Sequence, residues 1–255
     1  MSIDFFKQKY GYEIEDAWVP RVTAVTSLLY RNGGTEAPFG FMRRAMDWGT
    51  LVHETIQGIM KGEDLEIPEK IAPSVKAFYE WKEENQFVAQ DPLNTIEKRV
   101  VDAEYAYAGT IDVIGEMNGK RGVVDLKTSL EIADHYALQT AAYLHAYNKG
   151  EQQSLFEDVR YDAADTRWII RIDQYRVCKG CEAKMRDKIG RPVVRGGKAS
   201  CNHQWSDVKG EIECKEFQNQ EKDMSAFLAA KELWEWQNRE LLRQIPNYPR
   251  KQIFA

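Results

Sequence analysis

The 255-residue sequence predicts a mixed α/β fold: a central β-sheet flanked by helices, with a small cysteine-bearing ribbon inserted between late strands. Three observations predict it. β-like runs flank Asn118-Gly119 in the middle of the chain. Segments with apolar residues at helical spacing lie before and after those runs. All four cysteines fall in the last third, around a stretch rich in glycine and basic residues.

The elements follow in order. Phe41 to about Met60 reads as a helix, with Val52, Ile56 and Ile59 on its apolar side and a turn at Lys61-Gly-Glu-Asp. Ile71 to about Asn85 reads as a second helix, with Pro73 near its start and Val75, Phe78 and Trp81 facing inward. Ile96–Val101, Tyr105–Glu116 and Gly122–Lys127 read as strands. Asn-Gly between the last two signals a type I′ hairpin turn, because both positions need positive φ. Glu131 to Tyr147 reads as a helix, capped by Thr128 or Ser129 with Glu131 in its first turn. Arg167–Tyr175 alternates like a strand, and Glu211–Phe217 reads as another. Met224 to about Arg243 closes the chain as a helix, stopped by Pro246 and Pro249. Length and composition fit one domain over 1–255, with an inserted basic ribbon over 176–214.

The hairpin carries the chemistry. If Met117 pairs with Lys120, counting outward sets Asp112 opposite Asp125, with Lys127 on the same face. Like charges placed opposite each other destabilise a sheet, and a divalent cation offsets that best. Val123 and Val124 argue for burial around Asp125, a poor place for an unpaired carboxylate. Two carboxylates with a lysine suit phosphodiester hydrolysis. The carboxylates hold Mg²⁺ or Mn²⁺, and the ammonium steadies the attacking water or the developing charge on phosphorus. An exposed hairpin with an ordinary Asp–Lys–Asp network fits the same letters. On the following helix Gln139 and Tyr143 stand one turn apart and share a face.

The cysteines read as a metal site. Cys178-Lys-Gly-Cys181 is a knuckle with glycine in its turn, and Cys201-Asn-His203 supplies a second pair. This spacing suits a closed tetrahedral zinc site built from Cys178, Cys181, Cys201 and His203. Cys214 in place of His203 is the alternative. Lys179, Lys184, Arg186, Lys188, Arg191, Arg195 and Lys198 meet only Glu182 and Asp187 in this stretch. Its expected role is a phosphate-backbone clamp, with Lys188, Arg191 and Arg195 as DNA-binding residues.

The motifs Gly109-x-x-Asp112, Asp125-x-Lys127 and Gln139-x-x-x-Tyr143, in this order, resemble the RecB-like branch of the PD-(D/E)XK nuclease superfamily. Gly49-Thr-Leu-Val-His53 resembles that branch's helical histidine motif. Val19 to Val25 resembles its opening extended segment, and Asp223 to Ala230 its closing helix. The resemblance spans most of the chain. It implies a restriction-endonuclease-like core and a metal-dependent DNA nuclease, more specifically an exonuclease. It implies that Asp112, Asp125, His53 and the Leu126 carbonyl ligate catalytic Mg²⁺ or Mn²⁺. Lys127 is then the catalytic lysine, and Gln139 and Tyr143 position it or the substrate. Some members carry an iron–sulfur cluster with one cysteine far upstream. This chain has no cysteine before Cys178, which favours zinc. The alternative function is a nucleic-acid-binding module of a repair, recombination or CRISPR-adaptation assembly; a zinc-stabilised protein-interaction domain is a third.

The remaining expectations come from composition. A net charge of −5 neither announces nor excludes nucleic-acid binding, since distribution matters more than the sum. No apolar run reaches the roughly 18 residues of a membrane span, and the N-terminus carries no secretory apolar core. Cytoplasmic residence without membrane contact is expected, with DNA and a recombination or repair protein as partners.

Overall fold

The computed structural model describes residues 1–31, 39–152, 163–188 and 190–249. In chain order its elements are α1 (Ile3–Tyr10), β1 (Gly11–Ile14), β2 (Ala17–Pro20), α2 (Val22–Thr26), α3 (Phe39–Lys61), α4 (Ala72–Glu84), α5 (Pro92–Thr95), β3 (Ile96–Asp102), β4 (Tyr107–Met117), β5 (Lys120–Lys127), α6 (Tyr136–Gln152), β6 (Thr166–Val177), β7 (Lys184–Arg186), β8 (Val193–Arg195), β9 (Lys209–Glu216) and α7 (Gln220–Leu242).

The main sheet runs β3-β4-β5-β6-β9. β3, β4 and β5 form an antiparallel meander. β5 and β6 pair in parallel, joined through α6, and β9 returns antiparallel along β6. A parallel pair needs a crossover, and α6 provides it. Asn118 and Gly119 both take positive φ, 53° and 74°, and Met117 pairs with Lys120 as the turn type requires.

Two apolar clusters sandwich the sheet. On one face Ile111, Ile114 and Val123 pack with Phe6, Val25, Ala141, Tyr143, Phe227 and Trp234 of the helices α1, α2, α6 and α7. On the other face Val113, Val124, Leu126, Ile170 and Ile172 pack against Val52, Ile56, Val75 and Phe78 of α3 and α4. Trp48, Val52, Ile56 and Met60 of α3 are buried at four-residue steps, which gives that helix its inward stripe. Continuous burial along β5 and β6 is what a strand covered on both sides by helices demands. This is the mixed α/β sheet with flanking helices that the sequence predicts.

Three details differ from expectation. α6 starts at Tyr136 rather than Glu131, because Ser129 turns its hydroxyl onto the Glu131 carbonyl and helical bonding starts only at Tyr136→Ala133. The ribbon is shorter than 176–214, since β6 extends to Val177 and the sheet resumes at Lys209. The N-terminal elements α1 and β1 lie outside the sequence prediction, and Val19 to Val25, expected to be extended, turns helical at Val22. They pack against α7 and the start of β4, partly through Trp18 and Phe6.

Candidate functional site

The site forms where β4 and β5 separate. Their pairing keeps the predicted register through Val113↔Val124, and Asp112 and Asp125 occupy the next level. There the inward–outward alternation of β4 breaks: Ile111 joins one core cluster and Val113 the other. At the corresponding level of β3, Glu97 takes a φ of 55°. Such irregularities re-aim side chains and gather at functional sites. Asp112 uses its carboxylate as a backbone partner, accepting from the Leu126 N–H at 2.7 Å.

Asp125 is almost wholly buried. The Lys127 ammonium lies 2.5 Å from its Oδ2. Gln139 Nε2 donates to its Oδ1 at 2.7 Å and approaches the Tyr143 hydroxyl at 3.2 Å. Gly109 makes this chain possible. A Cβ there would lie 2.4 Å from Tyr143 Cε1, so the ring occupies the space a side chain would need. His53 of α3 stands 3.8 Å from Asp112 Oδ2 and hydrogen-bonds to the Leu126 backbone. The structure thus brings His53, Asp112, Asp125, Leu126, Lys127, Gln139 and Tyr143 together.

The electrostatics are unbalanced. Burial, then the neighbouring Asp125 charge, pushes the Asp112 carboxyl well above the usual carboxylate range; Lys127 and the Leu126 N–H only partly oppose this, and Glu97 adds to it. Burial holds the His53 imidazole below its ordinary value, so its lone pair is available at neutral pH. Burial and Asp125 keep the Tyr143 hydroxyl protonated. Two carboxylates, an imidazole and a backbone carbonyl gather here, while among the described residues the group drawn in to metal-ligand spacing is the cysteine–histidine cluster of the ribbon.

A cavity of about 220 Å³ lies over these groups. Its other wall is Tyr12, Arg21, Val22 and Thr23, which sequence reasoning assigned to no role. Arg21 stacks 4.5 Å over Tyr12 and donates to the Gly11 and Gln8 carbonyls. The single available signal was the basic residue in the segment Val19–Val25.

The second centre is the ribbon. Ligand atoms of Cys178, Cys181, Cys201 and His203 all lie within 4.8 Å of one another. Cys178 and Cys201 sulfurs are 3.8 Å apart, the spacing about 2.3 Å Zn–S bonds give at a tetrahedron's corners. Cys181 Sγ is 3.3 Å from His203 Nδ1. Burial raises the Cys178 thiol, but the Gly180 N–H, at 3.4 Å from its sulfur, and His203 outweigh it and bring the thiol to about 6. These four residues can hold a metal, and the geometry is compatible with structural zinc. Cys214 does not belong to the group. It sits on β9 opposite Ile170, packs with the second core cluster, and burial pushes its thiol up to about 11. The Cys₄ alternative therefore falls.

The clamp residues divide. Arg195 is exposed on β8, and Arg191 is exposed beside it. Lys188 is a correction: its ammonium is buried, 2.6 Å from Asp173 and donating to the Thr128 carbonyl at 3.0 Å. Arg186 also turns inward, onto the same Asp173 at 2.8 Å. A fully buried carboxylate on β6 needs cations, and the ribbon supplies two of them. Lys188 thus anchors the ribbon to Asp173 and to the loop after Lys127 and does not stand free on the surface.

No family model matches the chain, and no curated protein is significantly similar to it. The functional reading therefore rests on the site itself. Among the described residues no helix is long and apolar enough to cross a membrane.

Proposed function

We propose that the protein is a metal-dependent nuclease that hydrolyses DNA phosphodiester bonds, acting from ends. The observation that carries this reading is the convergence of Asp112, Asp125 and Lys127, with the Asp112 carboxyl raised above the usual carboxylate range by burial and its neighbour. A divalent cation relieves that imbalance, and the donor set fits one. When bound, Mg²⁺ or Mn²⁺ polarises the phosphate and lowers the pKa of a water.

The side chains then take defined parts. Asp112 and Asp125 hold the cation, with the Leu126 carbonyl and neutral His53 as further donors. Lys127 extends its ammonium along Asp125, where it can donate to charge developing on the phosphate. Gln139 fixes Asp125 Oδ1, which leaves Oδ2 for the cation and Lys127. Tyr143 steadies Gln139 from behind. The Cys178/Cys181/Cys201/His203 ribbon, held by zinc, carries the exposed Arg191 and Arg195, in reach of a phosphate backbone. End-directed action and any repair or recombination partner rest on the family resemblance alone.

The test is cleavage of matched linear and circular DNA, single- and double-stranded, with Mg²⁺, Mn²⁺ or EDTA. Wild type is expected to degrade linear DNA only with metal, and Lys127→Ala and Asp125→Ala to be inactive but folded. Cutting of circles makes the protein an endonuclease. Activity near wild type in Asp125→Ala removes that residue from the mechanism. No cleavage of any substrate leaves the nucleic-acid-binding module as the better reading.

A further inference from the structure

A second, larger cavity of about 640 Å³ adjoins the candidate site. α3 forms one wall through Met46 and Trp48, the loop after β5 forms the floor through Leu130, Tyr136 closes one end, and the ribbon roofs it with Val193 and Arg195. His53 and Lys127 line both this chamber and the smaller one over Asp112 and Asp125, so the two adjoin across these side chains.

Its chemistry is unlike the site next door. Most of the wall is apolar, and Met46 and Leu130 are 69 % and 39 % exposed at a place where a soluble surface has no use for them. Four cations line it: Arg186 and Lys188, both paired with Asp173, Arg195 on the roof, and Lys127 on the side of the smaller cavity, its ammonium 4.9 Å from the centre of the Tyr136 ring. The occupant that matches has a flat apolar body tied to an anion that reaches the carboxylates. The volume falls in the range of about 300–1,000 Å³ that holds ligands the size of a nucleotide.

We propose that this chamber receives the unstacked base of the nucleotide beside the scissile phosphate, so the strand being cut is single-stranded at that point. The assignment rests on the phosphodiesterase reading. In a duplex the bases are paired and stacked, and only their edges face outward; a base fills an enclosed apolar space only after leaving the stack. In a single strand that step is nearly free. The exposed surface of the wall is mostly apolar, which favours contact with a base's face over readout of its edge, so different bases fit. Paired DNA must therefore fray before it is cut.

The experiment pairs binding with cleavage. A short single strand carrying 2-aminopurine next to its end, the same strand in a blunt duplex, and a duplex with a single-stranded tail are titrated with zinc-loaded protein without other divalent cations. The same three are then cut in Mn²⁺. Met46→Asp and Leu130→Asp place a carboxylate on the exposed rim, where folding tolerates it; thermal melting checks that. Wild type is expected to bind and cut the single strand and the tail about tenfold or more better than the blunt duplex, with a change in 2-aminopurine emission, and both variants to lose that preference. Equal cutting of blunt duplex and single strand, or rim variants that handle single strands like wild type, overturns the chamber assignment and leaves the nuclease reading standing. Rim-dependent binding without cleavage supports the chamber and overturns the hydrolase. Neither binding nor cleavage overturns both.

Discussion

Asp173 is the point at which the ribbon is fastened to the sheet, and its removal should be felt across the molecule. Its side chain is 0 % exposed and receives Arg171 at 2.9 Å, Arg186 at 2.8 Å and Lys188 at 2.6 Å. Burial raises its carboxyl, but Arg186 and Lys188 outweigh this and hold it below the usual range. Asp173→Asn keeps the shape and removes the charge. Arg171 retains Glu211 and Glu213, whereas Arg186 and Lys188 lose the carboxylate that both pair with. Breaking a buried pair from one side costs about 3–5 kcal/mol. At roughly 2–4 °C per kcal/mol for a domain of this size, the melting temperature should fall by about 6–20 °C. Replacing Arg186 and Lys188 by methionine in the same chain should recover much of that, because the stranded charges go too. Zinc content should be unchanged, since the metal ligands are elsewhere. A melting shift under about 2 °C, or no recovery in the triple variant, would refute the reasoning. The pH dependence has a fixed sign: a depressed carboxyl stabilises above about pH 4 and is lost as pH falls through its folded value, so the Asp173 contribution should vanish in acid.

Three further outcomes are expected. The Asp112 carboxyl is raised, so its contribution to stability is complete below about pH 4 and is lost as pH rises through the folded value; melting curves should show Mn²⁺ stabilising the protein more at pH 8 than at pH 5, and a pH-independent effect would remove Asp112 from the metal site. Gly109→Ala should displace the Tyr143 ring, loosen Gln139 and Asp125, and destabilise by about 1–3 kcal/mol with a loss of cleavage larger than the loss of fold, read by denaturant titration beside activity. Elemental analysis should find about one zinc per chain, and Cys201→Ser should lower it while Cys214→Ser should not; iron with visible absorbance would overturn the zinc assignment.

Much of the site was legible because turn chemistry propagates. Asn118-Gly119 fixes one pair, and every pair outward follows as far as Val113 and Val124, which delivers Asp112 and Asp125 to the level where the strands part. The metal group was legible for a similar reason: knuckle spacing is local geometry. Charges placed by distant partners were not legible. Arg186 and Lys188 look like solvated ribbon cations until Asp173, on another strand, turns out to be buried against them. The delayed start of α6 escaped because helical periodicity continues through a segment whose hydrogen bonds go elsewhere. The wall from Tyr12 to Thr23 escaped because no spacing rule links an N-terminal hairpin to a mid-chain active site.

The ribbon leaves the sheet at the end of β6 and returns on β9, the strand paired beside it, with Tyr175 opposite Lys209. Its two ends are therefore neighbours before the ribbon has any structure of its own. The sheet itself holds the ends of the excursion together, so doubling its length would add only about 0.6 kcal/mol of closure entropy. The sheet can thus assemble first and the knuckles can load metal afterwards, as a late and separable step in the life of the protein. A chain without metal would keep the base of the ribbon, where Arg186 and Lys188 meet Asp173, and lose only the order of the knuckles beyond it; lineages could lengthen, trim or exchange that outer part while leaving the carboxylates where they are.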